Sequence, residues 1–201
     1  MIEPYYEQDG ITIYNADCRE VLPQLAPVDL VLTDPPYGIF ACGGTWGHKA
    51  ELQWDKKPAE GISEIIKHGK DAIVWGGNYF GLPPSRGWLV WYKRDSVPSA
   101  ADVELAWTSR DMNARLIDQT IAATNKERVR HPAQKPLNVM KWCLGFFPQA
   151  TTILDPFMGS GTTLRAAKDM GLKAIGIEIE KKYCDIAIER LRQRSLLPAM
   201  V

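Results

Sequence analysis

Asp34-Pro35-Pro36-Tyr37 combine groups suited to one kind of chemistry. A carboxylate and two prolines directly after the aliphatic run Val28 to Thr33 are costly: prolines abandon ladder hydrogen bonds, and the acid loses hydration. The prolines fix the backbone and leave the Pro35 carbonyl without helix or sheet partners, so it can accept from a ligand. An aromatic amino group is a weak nucleophile, because its lone pair is delocalised into the ring. Where Asp34 and the Pro35 carbonyl each accept one amino hydrogen, the nitrogen pyramidalises and turns its lone pair toward a methyl sulfonium. Tyr37 supplies a face on which an extruded base can stack. The bland alternative is an exposed Pro-Pro turn whose acid caps a neighbour.

A second constellation is Asp155-Pro156-Phe157-Met158-Gly159-Ser160-Gly161-Thr162-Thr163, set between a strand pattern and a helix pattern. Gly159 and Gly161 let the backbone approach a ligand, and the following helix presents unpaired N–H groups. A P-loop needs Gly-Lys-Ser/Thr, and no lysine occurs here. A dinucleotide fingerprint wants a third glycine where Leu164 stands. A third reading is a cofactor without phosphate, held by carboxylates. Glu178, closing the next strand pattern, is placed to accept ribose hydroxyls, and Asp155 to accept from the ammonium of a methionine moiety, directly or through water. S-adenosylmethionine has that composition. The alternative is a tight turn whose glycines serve packing.

The surrounding elements must bring these groups together. Strand patterns run over Ile11 to Tyr14, Val28 to Thr33, Asp71 to Trp75, Trp88 to Tyr92, Val103 to Thr108, Thr151 to Leu154 and Lys173 to Ile177. Helical spacing marks Cys18 to Leu25, Ile62 to His68, Leu137 to Phe147, Thr162 to Met170 and Lys181 to Arg194. On the last of these, Tyr183, Ile186, Ala187, Arg190 and Leu191 share one face. This alternation predicts an α/β fold with a doubly wound, mostly parallel sheet in a single domain over residues 1–201. Residues 40–57 read as a loop beside the Pro-Pro turn. Both constellations then lie at carboxyl ends of strands, where open α/β sheets bind ligands.

Together the two constellations resemble the DNA adenine-N6 and cytosine-N4 methyltransferases, in the order of the group called beta, and look most like its small phage-type versions. Asn15-Ala16-Asp17-Cys18, Trp75-Gly76-Gly77-Asn78-Tyr79-Phe80, His131-Pro132-Ala133-Gln134-Lys135-Pro136 and Gly176-Ile177-Glu178 agree, so the likeness spans nearly the whole chain. It implies the class I methyltransferase fold with a circularly permuted motif order, S-adenosylmethionine as cofactor and DNA as partner. Asp34, Pro35, Pro36 and Tyr37 become the catalytic candidates. Asp17, Cys18, Lys135, Asp155, Phe157, Gly159, Ser160, Gly161, Thr162 and Glu178 become the cofactor candidates, with Asp17 toward the adenine and Lys135 near the methionine carboxylate. An Asp at position 34 leans toward adenine N6; Ser there would lean toward cytosine N4. Methylation of RNA or of a protein amide, and a catalytically silent nucleic-acid-binding module, are the competing readings.

The rest of the chain narrows the class. With 45% hydrophobic and 24% charged residues it is ordinary for a soluble domain, and no apolar run approaches the ~20 residues a bilayer needs. Cys18, Cys42, Cys143 and Cys184 form no C-x-x-C pair, which suits a reducing cytoplasm and argues against a metal site. The 24 basic and 24 acidic residues balance, so any DNA contact must be local. Lys93, Arg94, Arg128 and Arg130, with Arg86, Lys126 and Lys135, form a candidate phosphate rim, and Trp46 and Trp54 are candidate loop contacts. The tryptophans at 75, 88, 91 and 107 read mostly as core. Larger relatives carry a target-recognition segment where this chain has only residues 108–130. The missing reader implies a permissive enzyme, a very short site, or surface borrowed from a second subunit in a homodimer.

Overall fold

A computed structural model describes residues 2–39, 57–98, 101–126 and 134–193. Its nine strands form one mixed sheet in the order β1-β2-β9-β8-β3-β4-β6-β5-β7. In the middle, β2 (Ile11–Asn15), β9 (Lys173–Glu178), β8 (Thr152–Asp155), β3 (Val28–Thr33) and β4 (Gly69–Trp75) run parallel. The alternation of side chains explains why these strands read as continuous apolar runs. Leu30 and Leu32 of β3 face one core with Ile73 and Trp75, while Val28 and Val31 face the other with Ala72 and Val74.

Helices cover both faces. The first core takes side chains from α4 (Leu137–Gly145), α5 (Thr162–Asp169) and α6 (Lys181–Arg192), and the second from α1 (Cys18–Val21) and α2 (Ile62–Ile65). Both short helices continue as single 3-10 turns, Leu22–Gln24 and Ile66–His68. At the first of these, Pro23 removes a backbone donor. Trp75, Trp91 and Trp107 are buried, as core tryptophans should be.

The sheet departs from the parallel expectation at both ends. Asp9-Gly10, both at positive φ, turn the chain from β1 (Tyr6–Gln8) antiparallel onto β2. β6 (Val103–Thr108) runs antiparallel to both β4 and β5 (Trp88–Tyr92), and β7 (Arg115–Asp118) closes that edge parallel to β5. The link from β5 to β6 is too short for a helical crossover, which a parallel pair would need. β7 and α3 (Ile121–Lys126) arise in the segment that carried no strand or helix expectation. It adds an edge strand to the catalytic sheet.

Candidate active site

The five central strands end on one edge, and the chemistry-bearing residues follow there in spatial order. Asn15 ends β2 and leads into Ala16 to Cys18, Glu178 ends β9, Asp155 ends β8 and leads into Pro156 to Gly161, Asp34 to Tyr37 follow β3, and Gly76 to Phe80 follow β4. β3 and β8 are direct neighbours, with Leu30 opposite Ile153 and Val31 opposite Leu154. Asp29 clamps their other ends, its carboxylate accepting from the Thr151 and Thr152 backbone N–H groups at 3.0 and 3.1 Å.

Gly159 and Gly161 have φ of 50° and 75°, and Gly161 starts α5. Glu178, half-buried, accepts from the Gly159 N–H at 3.1 Å and the Glu180 N–H at 2.7 Å, one on each carboxylate oxygen. Each oxygen retains a lone pair for a hydroxyl donor. Burial raises the Glu178 carboxyl, and the two backbone donors oppose that rise. Asp17 accepts from the Arg19 N–H at 2.9 Å, capping α1, and its Arg19 partner lowers its pKa. Asn15 ties this corner to β9 by donating to the Glu178 and Ile179 carbonyls at 2.9 and 3.0 Å.

Asp155 is not placed as the sequence reading had it. Its carboxylate is buried and accepts from Thr33 Oγ1 at 2.8 Å, Thr163 Oγ1 at 2.5 Å and the Phe157 N–H at 3.2 Å. These bonds join β3, β8 and α5, so Asp155 organises the turn from inside. Burial pushes its carboxyl up to about 7 against the pull of those donors. Arg190 had been read only as part of the apolar face of the last helix. It is buried, and its guanidinium donates to the Ser160 carbonyl at 2.8 Å and Thr162 Oγ1 at 3.0 Å. An arginine inside an apolar helix stripe was the available signal.

At the chemical end, the Pro36 carbonyl accepts from the Ala59 N–H at 2.9 Å. Pro35 is buried, and among the described residues none donates to its carbonyl. The Tyr37 hydroxyl donates to Asp34 Oδ1, and its ring stacks on Tyr79 with centroids 5.2 Å apart and meets Phe80 edge-on at 6.3 Å. Gly76, at φ 65°, is required here, since any Cβ on it would enter the Tyr37 ring. Burial raises the Asp34 carboxyl, with Lys135 opposing, and burial raises the Tyr37 hydroxyl as well.

Two cations turn out to have protein partners. The three donors of the Lys135 ammonium reach Asp34 Oδ2 at 2.5 Å, Glu104 Oε2 at 3.1 Å and the Tyr37 hydroxyl at 3.3 Å. Lys93 is no rim residue: its side chain is 13% exposed and pairs with Glu104. A lone sequence shows a charge but not its partner, and Glu104, a charge inside a β-patterned run, was the overlooked clue. Arg94 and Arg86 are exposed and paired with Asp118 and Asp111. Trp46, Trp54, Cys42, Arg128, Arg130 and His131 lie outside the described residues.

A family model described as DNA methylase, of N6/N4 type, matches residues 81–189. The chain is 26% identical to the type II methyltransferase M.ScaI of Streptomyces caespitosus, across 94% of this chain and 84% of that one. It is also 26% identical to the type II methyltransferase M2.DpnII of Streptococcus pneumoniae, across 95% and 93% of the two chains. Among solved structures, that of the M1.HpyAVI-SAM complex superposes with a TM-score of 0.62 at 24% identity, over 91% of this chain and all of that one. The cytosine-N4-specific PvuII DNA methyltransferase gives 0.63 at 18% identity, over 97% and 91%. Both likenesses show the fold, the sheet of a class I methyltransferase. With more than half its length inside the family model, the chain belongs to the N6/N4 DNA methylase family.

Proposed function

We propose that this amino-methyltransferase methylates the N6 amino group of an adenine flipped out of DNA, with Asp34-Pro35-Pro36-Tyr37 as its catalytic segment. The observation that carries the reading is the placement of that segment beside the Gly159–Gly161 turn, at the carboxyl ends of adjacent strands. The cofactor is S-adenosylmethionine, which supplies a methyl group on a positively charged sulfur.

The residues at the turn fit that cofactor. Glu178 keeps acceptor capacity on both oxygens for ribose hydroxyls, and the turn is bordered by the acids Asp17 and Glu178. The guanidinium nearest the turn, Arg190, is buried beneath it and bonded to the turn itself, so no phosphate is invited. Asp17 and Cys18, beside Glu178, are assigned to the adenine side, and Phe157, Gly159, Ser160, Gly161 and Thr162 to the wall. Asp155 supports that wall.

Asp34 and the Pro35 carbonyl accept the two amino hydrogens and direct the nitrogen lone pair outward. Pro36 holds the loop through Ala59, and Tyr37 offers its ring to the base. Much of the rate then comes from alignment of donor and acceptor across one crevice. A carboxylate at position 34 favours adenine over cytosine. Incubation of DNA with labelled S-adenosylmethionine, followed by nucleoside analysis, should yield label in N6-methyladenine. Label in N4-methylcytosine alone would overturn the adenine assignment.

A further inference from the structure

Behind Asp34 stands a group of charges for which hydrogen bonding to an amino group gives no reason. Lys135, its side chain 8% exposed, touches Asp34 and Glu104; Glu104, on β6, also pairs with Lys93 just beyond β5. The Lys135 ammonium further lies 5.5 Å from the Trp75 ring centroid and 5.7 Å from that of Tyr37. Two carboxylates and two ammonium groups therefore balance in one wall of the site. Desolvating such a set gives little stability over apolar packing of the same volume, so folding alone does not account for it.

We propose that Lys135 is a positioning residue for methyl transfer, holding the Asp34 carboxylate ionised and oriented, while Glu104 and Lys93 fix Lys135 in place. The inference rests on the reading of Asp34 as acceptor of an amino hydrogen. A protonated Asp34 would present a hydroxyl and lose acceptor capacity. Burial pushes Asp34 toward that form, and the nearby carboxylate Glu104 pushes the same way. Among the described residues, Lys135 is the cation that faces Asp34 and opposes them; Tyr37, the other group in contact, donates its hydroxyl. Burial works against the Lys135 charge, but Asp34 and Glu104 outweigh it and raise its pKa well above the ordinary lysine range. Burial likewise works against the Glu104 charge, and Lys135 and Lys93 outweigh it, lowering its pKa. Lys135 on one oxygen and Tyr37 on the other pin the carboxylate, each leaving a lone pair for the substrate.

The test is single-turnover methyl transfer to DNA against pH, with cofactor affinity measured in parallel. In Lys135→Met the acid limb should move to higher pH by about one unit, the scale of a lost neighbouring charge. Lys135→Arg should return it close to the wild-type position. Glu104→Gln, which removes a like charge, should move it to lower pH, and this variant carries the test should Lys135→Met fail to fold. An acid limb unmoved in every folded variant overturns the positioning role. Asp34→Ala separates the two ideas: if it transfers methyl at the wild-type rate, the reading of Asp34 falls. If Asp34→Ala is inactive and the limb is still unmoved, only the inference about Lys135 falls.

Discussion

Three carboxylates on one sheet edge carry different duties, set by what each touches. Asp34 faces the space beside Tyr37, so Asp34→Ala should bind S-adenosylmethionine nearly normally in calorimetry. Its single-turnover methyl transfer should fall on the order of 100-fold or more, the scale of one preorganised active-site group. Glu178 offers acceptors beside the Gly159–Gly161 turn, and Glu178→Ala should weaken cofactor binding by about 1–3 kcal/mol, as unpairing a polar partner does. Unchanged affinity would remove it from the cofactor site. Asp155 is internal, bonded to Thr33 and Thr163, and its signature is pH-dependent stability. Its pKa rises on folding from 3.8 to about 7, so its contribution is complete below pH about 4 and is lost as pH climbs through about 7. Melting temperatures without cofactor should therefore fall across that window for the wild type relative to Asp155→Asn. Parallel curves would show that Asp155 is not a buried acid.

Between residues and fold stand the turns that aim them. Gly61 and Gly76 both adopt left-handed φ, 72° and 65°, but only Gly76 has a neighbour where a side chain would begin. Gly61→Ala, with no described residue within 4 Å of the added carbon, should cost about 1–2 kcal/mol in denaturant unfolding and leave methyl transfer intact. Gly76→Ala incurs the same backbone cost and also displaces the Tyr37 ring, so its transfer rate should fall with that of the Tyr37 site. Equal activities in the two variants would detach Tyr37 from the reaction. The pairing of β3 with β8, fixed at one end by Asp29 and at the other by Thr33 with Asp155, is what makes these turns neighbours.

At the scale of the whole molecule, the described residues offer little free surface to read DNA sequence. Of the segment between β6 and α4, the described residues contribute β7 to the sheet edge and then α3. Among the described residues, exposed Arg86 and Arg94 are offset by Asp111 and Asp118, and half-buried Lys93 is paired with Glu104. Base choice should then rest on the pocket, where a flipped base meets Tyr37 and Asp34, with few contacts to neighbouring base edges. Methylation mapped by sequencing should show a short or loose context. A strict site of about six base pairs methylated by a proven monomer would contradict this, because direct readout of each pair needs side chains in the groove.

The sequence by itself determined the central strands and their order of chemistry, because side-chain periodicity and the breaks at Asp34-Pro35-Pro36-Tyr37 and Asp155 to Gly161 are local properties. It did not announce β1, because a strand of only three residues gives too short an alternation to count. Tertiary structure decided what periodicity cannot encode, namely which charges meet. Asp155 turned inward because Thr33 and Thr163 come from other elements, and Arg190 reached the Gly159–Gly161 turn from the last helix. Lys135 found Asp34 from 101 residues away. Buried ion pairs depend on long-range placement, and a lone chain gives a charge the same appearance whether it will face water or another charge.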